Sequence, residues 1–177
     1  LEDGRLELAR SETRIQEAID MLGGTLRQQM IAQERLNAAG EYAVPGLLDV
    51  LTDVAATDQA KWSAGEMLTG IGRQAVAPVA TALPHLSPKG QQTGASILGS
   101  IGYPHAAPAL VTIMTDEAAE PAAREAAARA LARLENVPAV DLASLNVLLG
   151  QNYLDGAAYL ISDPYGQDNL VWSWSPG

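Results

Sequence analysis

Histidine and acidic side chains are the residues of this chain that could bind a metal ion. The two histidines, His85 and His105, both stand near predicted turns. Two imidazoles without a third ligand at short spacing fall short of a zinc site, so we interpret both as solvated turn residues. A turn-rich loop also contains Asp163, Asp168 and Asn169, but their spacing does not match a calcium-binding loop. The sequence therefore predicts no metal centre.

The sequence also lacks a recognisable catalytic set. No Gly-x-Ser-x-Gly motif occurs, and the predicted elements place no histidine beside a plausible nucleophile. Gly94, Gly99 and Gly102 do not form a phosphate-binding loop, because no strand precedes them and no lysine follows them as that motif requires. We attribute these glycines to close helix packing, and we predict a non-enzymatic protein without a cofactor.

Composition and charge restrict the fold and the partners. Of the 177 residues, 47% are hydrophobic but only 5% are aromatic, a bias that suits closely packed helices better than a β-sandwich. The formal charge of −10 repels phosphate backbones, so we expect no nucleic-acid partner. No uncharged apolar run is long enough to span a bilayer, so we expect no membrane span. The chain begins with leucine, so we expect a piece of a longer protein. The sequence does not distinguish a cytoplasmic from a periplasmic protein, and it leaves the oligomeric state open.

A joint between two helices recurs along the chain. Gly40, Gly72, Gly102 and Glu135 take corresponding places, 32, 30 and 33 residues apart, and such periods are typical of solenoids. Small residues stand eight positions before each joint and leucines stand four positions before it: Ala32, Ala64, Gly94 and Ala127, and Leu36, Leu68, Leu98 and Leu131. Glycine ends a helix by adopting positive φ. In the fourth copy we expect Asn136 to do so less readily, which predicts a looser joint.

Capping residues and apolar spacing predict where the helices lie. Ser11, Thr57 and Ser87 are expected N-caps, and proline opens helices after Ser87 and after Glu120. From these signals we divide the chain into a lead-in and capping helix (1–24), a repeat array (25–162) and an irregular tail with a strand-like end (163–177). The tail contains Trp172 and Trp174 at alternate positions, where a strand would place both on one face.

The repeated pattern resembles the HEAT-repeat family, in particular the short bacterial HEAT-like repeats also found in bilin lyases. Two parts of the family pattern are matched over about residues 25–149: Arg124, Ala127, Ala130 and Leu131 for the first helix, and Gly72, Val76 and Pro78, or Gly102, Ala106, Pro108 and Leu110, for the joint and second helix. The middle repeats lack the arginine. The resemblance implies an all-α fold, an α-α superhelix of about four helical hairpins.

In proteins of this kind the second helix of each hairpin lines a concave groove. The resemblance therefore implies a protein or peptide partner in that groove, with the polar positions Asp49, Thr52, Thr81 and Thr112 as candidate contacts. Two alternatives stay open: the groove is unused in this part of the protein, or the scaffold belongs to an enzyme or enzyme subunit such as a bilin-lyase-like protein. Trp62 and the Trp172/Trp174 pair are interpreted as buried packing residues, with partner contact as the alternative.

Overall fold

The computed structural model describes residues 7–138, 141–157, 160 and 171–175, and all regular structure in these residues is helical. The prediction of an all-α fold is confirmed for this part of the chain. The helices are α1 (Glu12–Asp20), α2 (Leu26–Ala39), α3 (Val44–Thr52), α4 (Asp58–Ile71), α5 (Arg73–Ala82), α6 (Pro88–Ile101), α7 (Ala107–Thr115), α8 (Pro121–Leu131) and α9 (Leu142–Leu154). Short 3₁₀ turns occupy Gly40–Ala43, Leu83–His85 and Pro104–Ala106.

Residue contacts divide the chain into two compact units, Leu1–Ala75 and Val76–Gly177, so the border falls within α5. In the first unit, α1 packs on α2 and α3, and both α2 and α3 pack on α4. An ion pair of 3.3 Å between Arg35 and Glu17 joins α2 to α1. Burial of apolar side chains supplies most of the stability of such a unit; the fully buried leucines here are Leu36, Leu47 and Leu68.

The second unit has the same kind of helix packing. Helix α6 packs on α8, and α7 packs on both α8 and α9. The largest fully buried side chains of this unit are Leu83, Leu98, Leu110, Ile113, Val76 and Val79. Leu98 occupies the same repeat position as Leu36 and Leu68 of the first unit, so the leucine column is buried in three successive copies.

Glycine ends the first helix of three hairpins, as the joint pattern predicts. The amide groups of Gly40, Gly72 and Gly102 donate hydrogen bonds to the carbonyl oxygens of Leu36, Leu68 and Leu98, respectively. All three glycines have positive φ; Gly40 and Gly72 combine it with ψ of −130°. A side chain disfavours that backbone geometry strongly, which explains why glycine is required there.

The fourth joint differs from the other three. Asn136 has a φ of 58° and is the non-glycine residue with positive φ in the described part of the chain. Asparagine tolerates this conformation better than most residues. Helix α8 nevertheless ends at Leu131, whereas α2, α4 and α6 each continue to the residue directly before the glycine. The missing glycine thus coincides with an earlier helix end.

Side-chain capping explains most of the predicted helix starts. The hydroxyl groups of Thr25, Thr57 and Ser87 accept hydrogen bonds from backbone amides in the first turns of α2, α4 and α6. Ser11 is the N-cap of α1, but its side chain makes no capping hydrogen bond. Proline at the first position of α6 and α8 costs no helical hydrogen bond there, so these two starts also agree with the prediction.

Candidate functional site

An open groove of about 720 Å³ is the candidate site, and it lies entirely in the second unit. The walls come from α5, α7 and α9, with further residues from the turns and from the segment 171–172. The groove is lined by Ala77, Ala80, Thr81, Pro84, His105, Pro108, Ala109, Thr112, Asn146, Leu149, Gly150, Tyr153, Leu154, Gly156, Ala157, Leu160, Val171 and Trp172. Its volume lies in the range of about 300–1,000 Å³ that is typical of ligand-binding pockets.

The lining is mainly apolar and, in the described part of the chain, contains no Asp, Glu, Lys or Arg, although the chain as a whole has a net charge of −10. Short side chains on α5 and α7, such as Ala80 and Ala109, leave the space open because they do not reach across it. Such a surface gains free energy by burying apolar groups and offers nothing to neutralise a phosphate.

Two of the four predicted contact residues lie in this groove. Thr81 of α5 and Thr112 of α7 are half-buried in its walls. Their hydroxyl groups donate to the carbonyl oxygens of Ala77 and Pro108, both at 2.9 Å. These bonds hold each threonine against its own helix, while each hydroxyl oxygen retains acceptor capacity for a ligand.

The other two predicted contact residues lie on α3 of the first unit. Asp49 is exposed, and Thr52 donates its hydroxyl hydrogen to the carbonyl oxygens of Leu48 and Asp49 at 3.1 and 3.2 Å. Neither residue lines the groove of the second unit. Their role in binding a partner stays a prediction.

Helix α9 supplies a wall that the sequence pattern did not identify. Leu145, near the start of α9, is buried, and residues further along the helix line the groove: Asn146, Leu149, Gly150 and Tyr153. Apolar residues lie on more than one side of this helix, a pattern that is typical of a helix buried on several sides. These apolar residues were the signal for α9 in the sequence, but they do not show which side of the helix faces a ligand.

The start of α9 is fixed by a charged cap. The Asp141 carboxylate accepts hydrogen bonds from the Ser144 backbone amide at 3.1 Å and from the Ser144 hydroxyl at 2.8 Å. Both hydrogen bonds favour the ionised carboxylate, and the bond from the backbone amide has the larger effect. They lower the pKa of Asp141 below its ordinary value.

We therefore expect the start of α9 to loosen at acid pH. A carboxyl group whose folded-state pKa is lowered contributes stability above its unfolded pKa, and this contribution is lost as the pH falls through the folded value. The amide chemical shift of Ser144 should titrate with a midpoint below that of an unstructured aspartate. In Asp141→Asn, which keeps a neutral cap, the same shift should stay flat; a midpoint at or above the ordinary aspartate value would contradict the capping account.

The segment 171–175 forms neither helix nor strand and contacts this same region. Val171 and Trp172 line the groove. The Trp174 ring stacks on the imidazole of His85, with ring centroids 5.0 Å apart and planes 9° from parallel. The rest of the predicted tail, residues 163–170 and 176–177, lies outside the described residues, as does the loop with Asp163, Asp168 and Asn169.

The two histidines have different environments. His85 is exposed, in agreement with a turn position, but His105 is buried and lies beside Tyr103, with ring centroids 5.8 Å apart. The expectation of a solvated His105 is wrong, because its side chain is buried within the second unit, where it forms part of the groove lining. Among the described residues, no group of three or more His, Asp or Glu side chains could hold a metal ion.

Trp62 also departs from its expected environment. Its side chain is 64% exposed on α4, so the interpretation as a buried packing residue is wrong. The neighbouring residues Ser63 and Ala64 occupy the buried side of the helix, and one residue corresponds to about 100° of rotation around a helix. That rotation carries Trp62 to the solvent side.

Comparison with known proteins leaves the lineage of the chain open. No protein-family model matches it, and no curated protein is significantly similar to it in sequence.

In the described part of the chain, each helix is too short or too polar to cross a membrane.

Proposed function

We propose that the chain is a non-enzymatic, HEAT-like interaction module that binds an uncharged, apolar peptide segment of a partner protein in the groove of its second unit. The single observation that carries this proposal is the groove itself, whose mainly apolar walls, without Asp, Glu, Lys or Arg in the described lining, come from α5, α7 and α9. The second helix of each predicted hairpin is the one expected to line a binding groove. Helices α5 and α7 are two of these second helices.

The repeated packing supports the HEAT-like architecture. First helices of neighbouring hairpins pack on each other, as α2 does on α4 in the first unit and α6 does on α8 in the second. The second helix of a hairpin also packs on the next first helix, as α3 does on α4 and α7 does on α8. Each repeat then buries its apolar side only against its neighbours, which is how solenoids are stabilised. We propose a right-handed α-α superhelix on this basis.

The chemistry of the groove favours a peptide over other ligands. A nucleic acid requires cations along its backbone, and the described lining contains no Lys or Arg. A basic peptide would find no carboxylate within the groove, despite the acidic surface elsewhere. An apolar segment is matched by the alanine, leucine and proline side chains, and its backbone amides can donate to the oxygen atoms of Thr81, Thr112 and Asn146.

A peptide selection tests this proposal. A library of random peptides displayed on phage should be selected against the full chain, with Thr112→Arg as the blocked variant. We expect enriched peptides that are uncharged and rich in apolar residues, because the groove offers apolar contacts and no ionic partner. Their binding should change little between low and high salt, since screening acts on charges.

A matched control lies one helical turn away on α7. Thr115 is exposed, outside the groove, and its hydroxyl donates to the Val111 carbonyl oxygen at 2.8 Å, as that of Thr112 does to its own helix. Thr115→Arg therefore adds the same charge and bulk outside the groove and should retain all selected peptides. Selection of strongly charged peptides, or of peptides that bind Thr112→Arg as well as wild type, would contradict the proposal.

A further inference from the structure

We infer that Val171–Ser175 lies along the groove as an intramolecular competitor for it, and that the partner segment which displaces it carries aromatic residues at alternate positions. This inference rests on the proposed function, because it assumes that the groove binds peptides. To that function the inference adds two points: the groove selects aromatic side chains, and the chain's own segment competes with a partner for the groove. Three observations on this segment carry it.

The first observation is where the segment lies. Val171 and Trp172 form part of the groove lining, and Trp174 stacks on His85 beyond the end of α5. The nearly parallel rings, 5.0 Å between centroids, have the offset-stacked geometry that aromatic pairs favour. Two tryptophans at alternate positions of one short segment thus contact the groove and its rim.

The second observation is chemical complementarity. Residues 171–175 read Val-Trp-Ser-Trp-Ser and carry no ionisable side chain, and the described groove lining carries no Asp, Glu, Lys or Arg. In a chain with a net charge of −10, a segment without ionisable side chains suits a mainly apolar surface without Asp, Glu, Lys or Arg. Burial of the indole rings against apolar walls needs no ionic partner.

The third observation is incomplete burial. Val171 remains 90% exposed and Trp174 remains 45% exposed, so much of the apolar surface of the segment still contacts solvent. The segment therefore gains only part of the free energy that burial of its apolar surface could contribute. A tethered segment competes effectively even when each contact is weak, because its local concentration is high. An external peptide of the same chemistry with more contacts displaces it.

The test uses the full chain and a defined probe. The probe is the peptide Val-Trp-Ser-Trp-Ser, acetylated, amidated and labelled with a fluorophore, and binding is followed by fluorescence anisotropy. We expect Trp172→Ala/Trp174→Ala to bind the probe about tenfold more tightly than wild type, because the tethered segment then no longer competes with the probe for the same groove surface. Adding His85→Ala should weaken that binding, since it removes the ring on which Trp174 stacks.

Matched variants separate competition from a general effect of removing tryptophan. Trp62→Ala removes an exposed tryptophan from the first unit and should bind the probe as wild type does. Trp174→Ala alone, at a half-exposed position, should raise the affinity less than the double variant and serves if the double variant does not fold. Equal probe affinity for wild type and the folded tryptophan variants would overturn the inference.

Failure of the inference and failure of the proposed function give different results. If the probe binds none of the proteins while selected library peptides still bind wild type and fail on Thr112→Arg, the aromatic preference is wrong and the groove function stands. If neither the probe nor any library peptide binds at the groove, both are overturned.

Discussion

Leu98→Ala is expected to lower the free energy of unfolding by about 2–5 kcal/mol. Leu98 is fully buried in the second unit, on the helix that packs on α8. Removing its branched end therefore takes apolar area out of the core and leaves a cavity that rigid neighbouring helices fill only in part. Urea unfolding followed by circular dichroism measures the loss.

An exposed leucine provides the control for this substitution. Leu26, the first residue of α2, is 74% exposed, so Leu26→Ala should change the free energy of unfolding by no more than about 0.5 kcal/mol. An unchanged urea midpoint for Leu98→Ala would mean that the leucine column does not form the core, and the repeat register would be wrong.

Gly99→Ala is expected to destabilise the second unit by about 2 kcal/mol. A Cβ atom at this position would lie 2.7 Å from the Cα atom and 2.8 Å from the Cβ atom of Ala130 on α8. Because backbone atoms cannot rotate away, α6 and α8 must separate, at a cost near the upper end of the usual overpacking penalty, about 3 kcal/mol. The intrinsic helix preference of alanine over glycine returns about 1 kcal/mol.

A second glycine should respond in the opposite direction. Gly65 lies in the middle of α4, and a Cβ atom added there meets no heavy atom within 4 Å. Gly65→Ala should therefore stabilise the chain by about 0.5–1 kcal/mol through helix propensity alone. Thermal unfolding of Gly99→Ala and Gly65→Ala compares the effect of a steric contact with the effect of helix propensity. If Gly99→Ala were stabilising as well as Gly65→Ala, the close approach of α6 and α8 would be refuted.

The helix boundaries could be predicted from sequence because they depend on local chemistry. Thr57 and Ser87 cap helices through hydrogen bonds to amides three residues away, and a cap glycine needs only its own backbone freedom. Gly40 and Gly72 share a backbone geometry that few other residues adopt. Such signals are present in any short stretch of sequence, so the helical hairpins were recognisable without a structure.

The groove was only partly predictable because its walls come from distant parts of the chain. Thr81 and Thr112 could be placed by their position on second helices, but the wall from α9 and the contact between Trp174 and His85 join residues far apart in sequence. His105 shows the same limit, since a turn residue is buried when another element covers it. Local patterns contain no information about which element does so.

The measurement that tests the central claim most directly is an equilibrium titration of one selected peptide against wild type, Thr112→Arg and Thr115→Arg. The account predicts that Thr112→Arg weakens binding at least about a hundredfold, because a charged side chain then occupies an apolar groove that the peptide must desolvate. Thr115→Arg should bind as wild type does, and all three proteins should unfold at similar temperatures. Equal affinity of the two arginine variants would contradict a peptide-binding groove formed by α5, α7 and α9.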